Sequence, residues 1–274
     1  MDAAHYWQAT LQSRPLLPAL FTLARQSGDS VTSIVSTALC IALSALSGNS
    51  RVGLKLNFSN RFPSLKESVG CFFQEALVAV DVSSDQSLAE ISDCVRRAIM
   101  AAGMSARYSY FARRETQAKV EAERGARLRM AVTVDMSDAY ARCLQEDALA
   151  EAVVRDGEST VLWGSCPWVH DYDDVFFSSF PLTDGAGLSV VVHRSIADRD
   201  QVEEFLRGIE RLLVSWARSP GWSSASVGTV RALTGMRVRP YEGGWVYADH
   251  SWVNVTGLEQ LISDIDGVSR KDRL

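Results

Sequence analysis

The chain has 274 residues, 47% apolar and 22% charged, with a formal net charge of −5. That is ordinary globular composition and enough chain to bury a large core. The acidic balance argues against a nucleic-acid binder, which needs a basic face. The five cysteines are scattered, with no CxxC pair, which argues against a zinc site or a disulfide framework and fits a reducing, cytoplasmic setting.

Residues 2–13 are expected to form one short helix. Pro15 and Pro18 then suit the first turn of a second helix over LPALFTLARQSG, closed by Gly28. A long apolar helix follows, from Ser30 as N-cap to Gly48 past its end. Its most apolar window, 31–46, carries five Ser or Thr residues. It is too short and too polar to span a membrane, and reads as a buried core helix. Cys40 lies within it, and Cys94 lies in a later helical pattern. Both read as buried thiols. The N-terminus lacks a basic region followed by an apolar one, so no secretory signal is expected.

The stretch from Arg51 alternates as a half-buried strand, with Val52, Leu54, Leu56 and Phe58 on one face and Lys55 and Asn57 on the other. Asn60 and Arg61 close it before a turn at Phe62-Pro63-Ser64. A partly buried guanidinium there calls for a carboxylate in bidentate reach. The segment 69–82 is expected to end as a strand. Ser87 and Glu90 form a capping box ahead of a helix with Leu88, Ile91, Val95, Ala98, Ile99 and Ala102 at helical spacing. A charged helix is expected over about 114–125, with Arg113, Arg114, Lys119 and Arg124 interleaved with Glu115, Glu121 and Glu123 as a solvated face.

Further on, strands are expected at 128–136, 161–164, 176–180 and 187–193, and a short helix at 143–154. The clearest helix covers 198–219, with Val202, Phe205, Ile209, Leu212, Leu213 and Trp216 along one face. GWSSASVG, at 221–228, reads as a linker. Beyond it, MRVRP, GGWVYAD and SWVNV read as short strands and 257–268 as a short helix. The division expected is therefore a main domain over 1–220 and a small appendage over 229–274. Helices and strands mix irregularly, which implies an α/β layered domain with a mixed sheet.

Chemistry-bearing motifs are sparse. The sequence has no P-loop, no GxGxxG and no GxSxG. His5, His193 and His250 read as surface or structural residues. His170 lies in HDYDD, where Asp171, Asp173 and Asp174 could orient its ring, so it is a weak general-base candidate. Ser178 and Ser179, in FFSSF, are candidate nucleophiles with no identifiable base.

The order of these motifs resembles the C-terminal half of a nonribosomal peptide synthetase condensation domain. Tyr6-Trp7 resembles the family's Tyr-Trp pair, at the start of a helix between its two lobes. VGLKLNFSNR, ending at Arg61, resembles its strand ending in Asn-Arg. VGCFFQEALVAVDV resembles its Val-Gly-Phe-Phe-Val-Asn-Thr motif, with Gln74 and Glu75 in place of Asn-Thr. SLAEISDCVRRAIMAA resembles the helix that follows, and 189–220 the closing strand and long helix. The resemblance covers roughly 5–220.

The resemblance implies a single chloramphenicol-acetyltransferase-like lobe, a mixed sheet flanked by helices, plus the C-terminal appendage. The family's catalytic His-His-x-x-x-Asp-Gly belongs to an N-terminal lobe and has no counterpart here. Its Asp would pair with the Arg of the Asn-Arg motif. His170 and Asp174 match H-x-x-x-D but are flanked by Val169 and Val175 and fall in the wrong half, so they inherit no catalytic role. Arg61 is then expected to be exposed to solvent, to pair with Glu75 or to be satisfied by a partner chain, and the Glu75 pairing is the favoured one.

Two functions stay open beside a decayed or purely structural lobe. One is a free-standing, truncated lobe of antibiotic or other secondary-metabolite biosynthesis, working as a half-enzyme or as a binding lobe for a carrier protein or acyl chain. Its partner would be a carrier protein or a co-encoded N-terminal-lobe protein, in a homo- or hetero-oligomer, without nucleic acid or membrane. The other is a stand-alone acyltransferase-like enzyme with rewired chemistry, in which Glu75 or His170 acts as acid or base. Asn60, Arg61, Gln74, Glu75, Ser178 and Ser179 are the candidate binding residues. No metal or resident cofactor is expected, and a phosphopantetheine-tethered substrate is the one cofactor-borne group implied.

Overall fold

The computed structural model describes residues 6–60, 67–70, 72–125, 132–136, 140, 157–164 and 174–238, and the backbone of 245–248 and 251–254. The chain divides into two units, 1–238 and 239–274.

The first unit is built on a seven-stranded mixed sheet of order β3-β2-β4-β6-β7-β1-β5. The strands are β1 (Tyr6–Ser13), β2 (Arg51–Phe58), β3 (Gln74–Asp81), β4 (Val132–Met136), β5 (Ser159–Gly164), β6 (Val175–Leu182) and β7 (Gly185–His193). At the centre β2, β4 and β6 run parallel, and every other neighbouring pair is antiparallel. The helices are α1 (Leu16–Ser27), α2 (Val31–Ser47), α3 (Leu88–Ser105), α4 (Tyr110–Arg124), α5 (Arg199–Arg218) and α6 (Val227–Thr234).

Period-two alternation separates the sheet's faces. Ala9, Leu11, Val52, Leu54, Leu56, Ala76, Val78, Val134, Phe177, Leu188 and Val190 are buried on the inner face. They join α1, α2, α3 and α5 in one hydrophobic cluster. Cys40 is fully buried there, and burial pushes its thiol up to about 12. Local chemistry agrees with this packing. Ser30 caps α2, Gly48 ends it with φ 68°, and Ser87 and Glu90 close both bonds of the capping box on α3. Among the described residues, no single helix is long and apolar enough to cross a membrane.

Four expectations are corrected. Residues 6–13 form a strand, not a helix. Ala9, Leu11 and Ser13 turn inward while β5 and β7 satisfy both backbone edges, and this outweighs the local helical reading. The stretch read as a linker is ordered against the main unit. Pro220–Ser224 is a 3-10 helix, Val227–Thr234 is α6, and the unit continues to Val238. Residues 236–238 are not a strand. Met236 is instead buried against Gly208 of α5, where a Cβ would lie 2.8 Å from the Met236 Cγ. The charged helix begins at Tyr110, not near 114.

In the second unit, β8 (Trp245–Ala248) and β9 (Ser251–Asn254) pair antiparallel, as GGWVYAD and SWVNV suggested. The helices expected at 143–154 and 257–268 lie outside the described residues, as do Arg61, His170 and His250.

Candidate functional site

The outer face of β3-β2-β4 carries a connected polar group. The antiparallel register sets Asn57 opposite Glu75 and Lys55 opposite Leu77, so these side chains share a face. Lys55 is only 6% exposed. Its Nζ lies 3.8 Å from Glu75 Oε1. From the other side, Arg113 Nη1 of α4 lies 3.3 Å from Glu75 Oε2. Arg113 also donates to the Tyr108 hydroxyl at 3.2 Å, and that hydroxyl donates to the Glu75 carbonyl. Burial works against the Arg113 charge, but the Tyr108 hydroxyl and the Glu75 carboxylate outweigh it. The guanidinium pKa is held above its ordinary value.

Glu75 is therefore clamped between two cations, one oxygen to each, as their shared counter-charge. Nearby, the Asn57 Oδ1 is buried without a hydrogen-bond partner among the described residues, and Thr133 is buried beside Lys55 in the parallel register of β4.

The other candidates scatter. Asn60 adopts φ 49°, a left-handed conformation that Asn tolerates better than most residues. Its Nδ2 donates to the Ala106 carbonyl at 3.0 Å, satisfying the C-terminal end of α3. The Gln74 side chain bonds the Tyr108 backbone twice, Nε2 to the carbonyl at 2.6 Å and the amide N–H to Oε1 at 3.2 Å. Both residues thus fasten the α3–α4 connection to the edge of the sheet.

Ser178 and Ser179 point to opposite faces. Ser179 is 1% exposed on the inner face, its Oγ 2.7 Å from the Tyr140 hydroxyl. Ser178 lies outside, in a row with Asp135, Ser189 and Thr10, and the Thr10 and Ser189 hydroxyls are 2.9 Å apart. The described histidine, His193, has its Nδ1 committed to Ser195. A core void lined by Leu46, Val175, Val202 and Phe205 offers no polar group to a substrate. Among the described residues, no group of His, Cys, Asp and Glu could hold a metal.

Sequence reasoning missed Tyr108 and Arg113. Arg113 was assigned to a solvated helix face, and only the register of β3 against α4 brings it to Glu75. A second cluster also went unseen. Arg194 lies 4.0 Å over the Trp7 ring, and Arg199 lies over both Trp7 and Trp163, at 5.2 and 4.5 Å.

No family model matches the chain, and no curated protein matches its sequence. Solved structures do match. The first condensation domain of the CDA synthetase aligns with a TM-score of 0.55 at 14% identity, over 82% of this chain and 47% of that one. The fold is that of a condensation-domain lobe. The nonribosomal peptide synthetase FmoA3 aligns with a TM-score of 0.60 at 16% identity, over 82% of this chain and 24% of that one. The X-domain in complex with OxyB, from teicoplanin biosynthesis, aligns with a TM-score of 0.53 at 15% identity, over 81% of this chain and 48% of that one. The chain spans less than half the length of these condensation-fold relatives.

Proposed function

We propose that this chain is a partner-dependent condensation-like lobe of natural-product biosynthesis. It works as a half-enzyme, or as the binding lobe for a carrier protein and its acyl chain. The observation that carries this reading is the fold, a seven-stranded lobe that aligns with 47% of the CDA synthetase condensation domain.

Two features support it. Leu77 on the outer face of β3, Met100 and Met104 on α3, and Tyr110 and Phe111 on α4 are all more than half exposed, and large apolar groups left in water favour association. Arginines 97, 107 and 114, also exposed, lie on α3, on its connection to α4 and on α4, so the partner best suited to these helices is acidic with an apolar face. The Glu75 clamp supports a binding role over an acid-base one, because its carboxylate already serves two cations.

The test is titration calorimetry of the purified chain against phosphopantetheine-loaded carrier proteins and lobe proteins encoded beside it. Light scattering would measure its own association. Binding to one of these, weakened at least tenfold by Met104→Lys with Phe111→Lys, is expected. Amide formation by the chain alone, or a monomer that binds none of these proteins, would overturn the proposal.

A further inference from the structure

Arg231, on α6, is 5% exposed, and its Nε and Nη2 are buried with no hydrogen-bond partner among the described residues. Its one hydrogen bond among the described residues runs from Nη1 to the Ser84 hydroxyl at 3.4 Å. A buried guanidinium without a counter-charge is costly, and burial alone pushes its pKa down.

Ser84 is exposed, on the turn between β3 and α3. α6 holds that turn closely. Gly228 N–H donates to the Ser84 carbonyl at 2.9 Å, Val227 N–H to the Gln86 carbonyl at 2.8 Å, and Leu88 N–H to the Ala225 carbonyl at 2.9 Å. Ser87 and Ser226 form an isolated antiparallel bridge. Ser87 is the N-cap of α3 and Ser226 the N-cap of α6. Two helix N-termini, each favouring negative charge, therefore meet beside an unpaired cation.

The acids nearby are otherwise placed. Glu90 closes on Ser87, Asp81 lies 3.9 Å from Arg51, and Asp85 is exposed on the turn.

We propose that Ser84 is a phosphoryl-acceptor site and that Arg231 is the side chain that binds the phosphate. The donor is a nucleoside triphosphate in the active site of a serine kinase. The Ser84 Oγ attacks the γ-phosphorus and a new O–P bond forms. The bond to the bridging oxygen breaks, nucleoside diphosphate leaves, and the hydroxyl proton passes to the kinase base. The product sets three acceptor oxygens two bonds beyond an atom already 3.4 Å from Nη1, within reach of a bidentate guanidinium bond. The modification neutralises Arg231 and fastens α6 to the β3–α3 turn.

The test compares full-length protein carrying genetically encoded phosphoserine at position 84 with unmodified protein and with phosphoserine at position 83. Thermal melts and amide hydrogen exchange across 227–234 are the readouts. Phosphoserine at 84 raises Tm by about 2–4 °C or more and slows exchange in α6 by about tenfold. Phosphoserine at 83 does neither. Arg231→Met abolishes the gain. Should that variant fail to fold, Arg231→Lys, which keeps a charge but loses the planar fork, cuts the gain by at least half. No rise in Tm, an equal rise without Arg231, or equal stabilisation of Ser84→Ala by millimolar inorganic phosphate would overturn the proposal, the last by showing a site for free anion.

Discussion

Glu75→Gln is the sharpest probe of the outer face, because it keeps the side chain's shape and removes one charge shared by two cations. At 3.8 Å from Lys55, the gross attraction is about 4 kcal/mol at an effective dielectric of about 20. The Glu75 side chain is 26% exposed and the Lys55 side chain 8%, so solvent screens part of that. A net coupling of about 1–2 kcal/mol is expected. Arg113 is 34% exposed on the same scale, and its coupling to Glu75 should fall to about 0.5–1 kcal/mol.

Urea unfolding of Glu75→Gln, Lys55→Met, Arg113→Met and the two double mutants measures both terms. The single Glu75→Gln change should cost about 1–3 kcal/mol. Arg61→Ala belongs in the same series, because Arg61 lies outside the described residues and the sequence alone suggested it as the partner of Glu75. With both carboxylate oxygens engaged, Arg61 should couple to Glu75 by less than about 0.5 kcal/mol. Coupling to Arg61 larger than that to Arg113, or additive effects at Lys55, would refute the clamp.

Asn60→Ala should cost about 1–2 kcal/mol, since it loses the bond to Ala106 and keeps a side chain at positive φ. Asn60→Gly should cost less, and equal losses in urea would show that the backbone carries no strain there. Glu90 is bonded by the Ser87 backbone and hydroxyl, which hold its pKa below the ordinary 4.5. Its contribution is complete above that value and fades as pH falls through the lowered pKa, so Glu90→Gln should flatten the acid limb of a stability–pH curve. Cys40, with its thiol raised to about 12, should resist alkylation at mildly alkaline pH until the protein unfolds, as mass mapping would show.

Elements with two agreeing local signals were legible in the sequence. α2 had a cap, an apolar run and a closing glycine, and α3 had its capping box and helical spacing, and both formed where expected. β1 was misread because Tyr6–Ser13 gains its stability from β5 and β7, over 140 residues away in the chain. No local pattern reports that pairing. α6 was hidden by small and polar residues before it, and its anchors are the 84–86 turn and the Arg211 bond to the Thr234 carbonyl at 2.6 Å. The candidate site divided in the same way. Lys55 and Glu75 could be placed by alternation along their strands. Tyr108 and Arg113 could not, because Tyr108 lies in a loop with no periodicity and a charged helix such as that of Arg113 is equally consistent with open solvent.

The sheet's two faces also explain why motif-by-motif reading named residues that do not act together. Consecutive side chains such as Ser178 and Ser179 look like a pair in sequence, yet one lines the core and the other the outer face. Residues that do share a site are two apart on a strand or opposite each other across a register, as with Asn57 and Glu75. What the outer face assembles is one carboxylate answering two cations, and Arg113 is held charged by that arrangement. A group of that kind fixes geometry and attracts charge. Proton transfer needs a group that can change its charge near neutral pH, and among the described residues the one histidine has its Nδ1 bound to its own turn. Under the function proposed above, this face serves recognition of a partner or a tethered substrate.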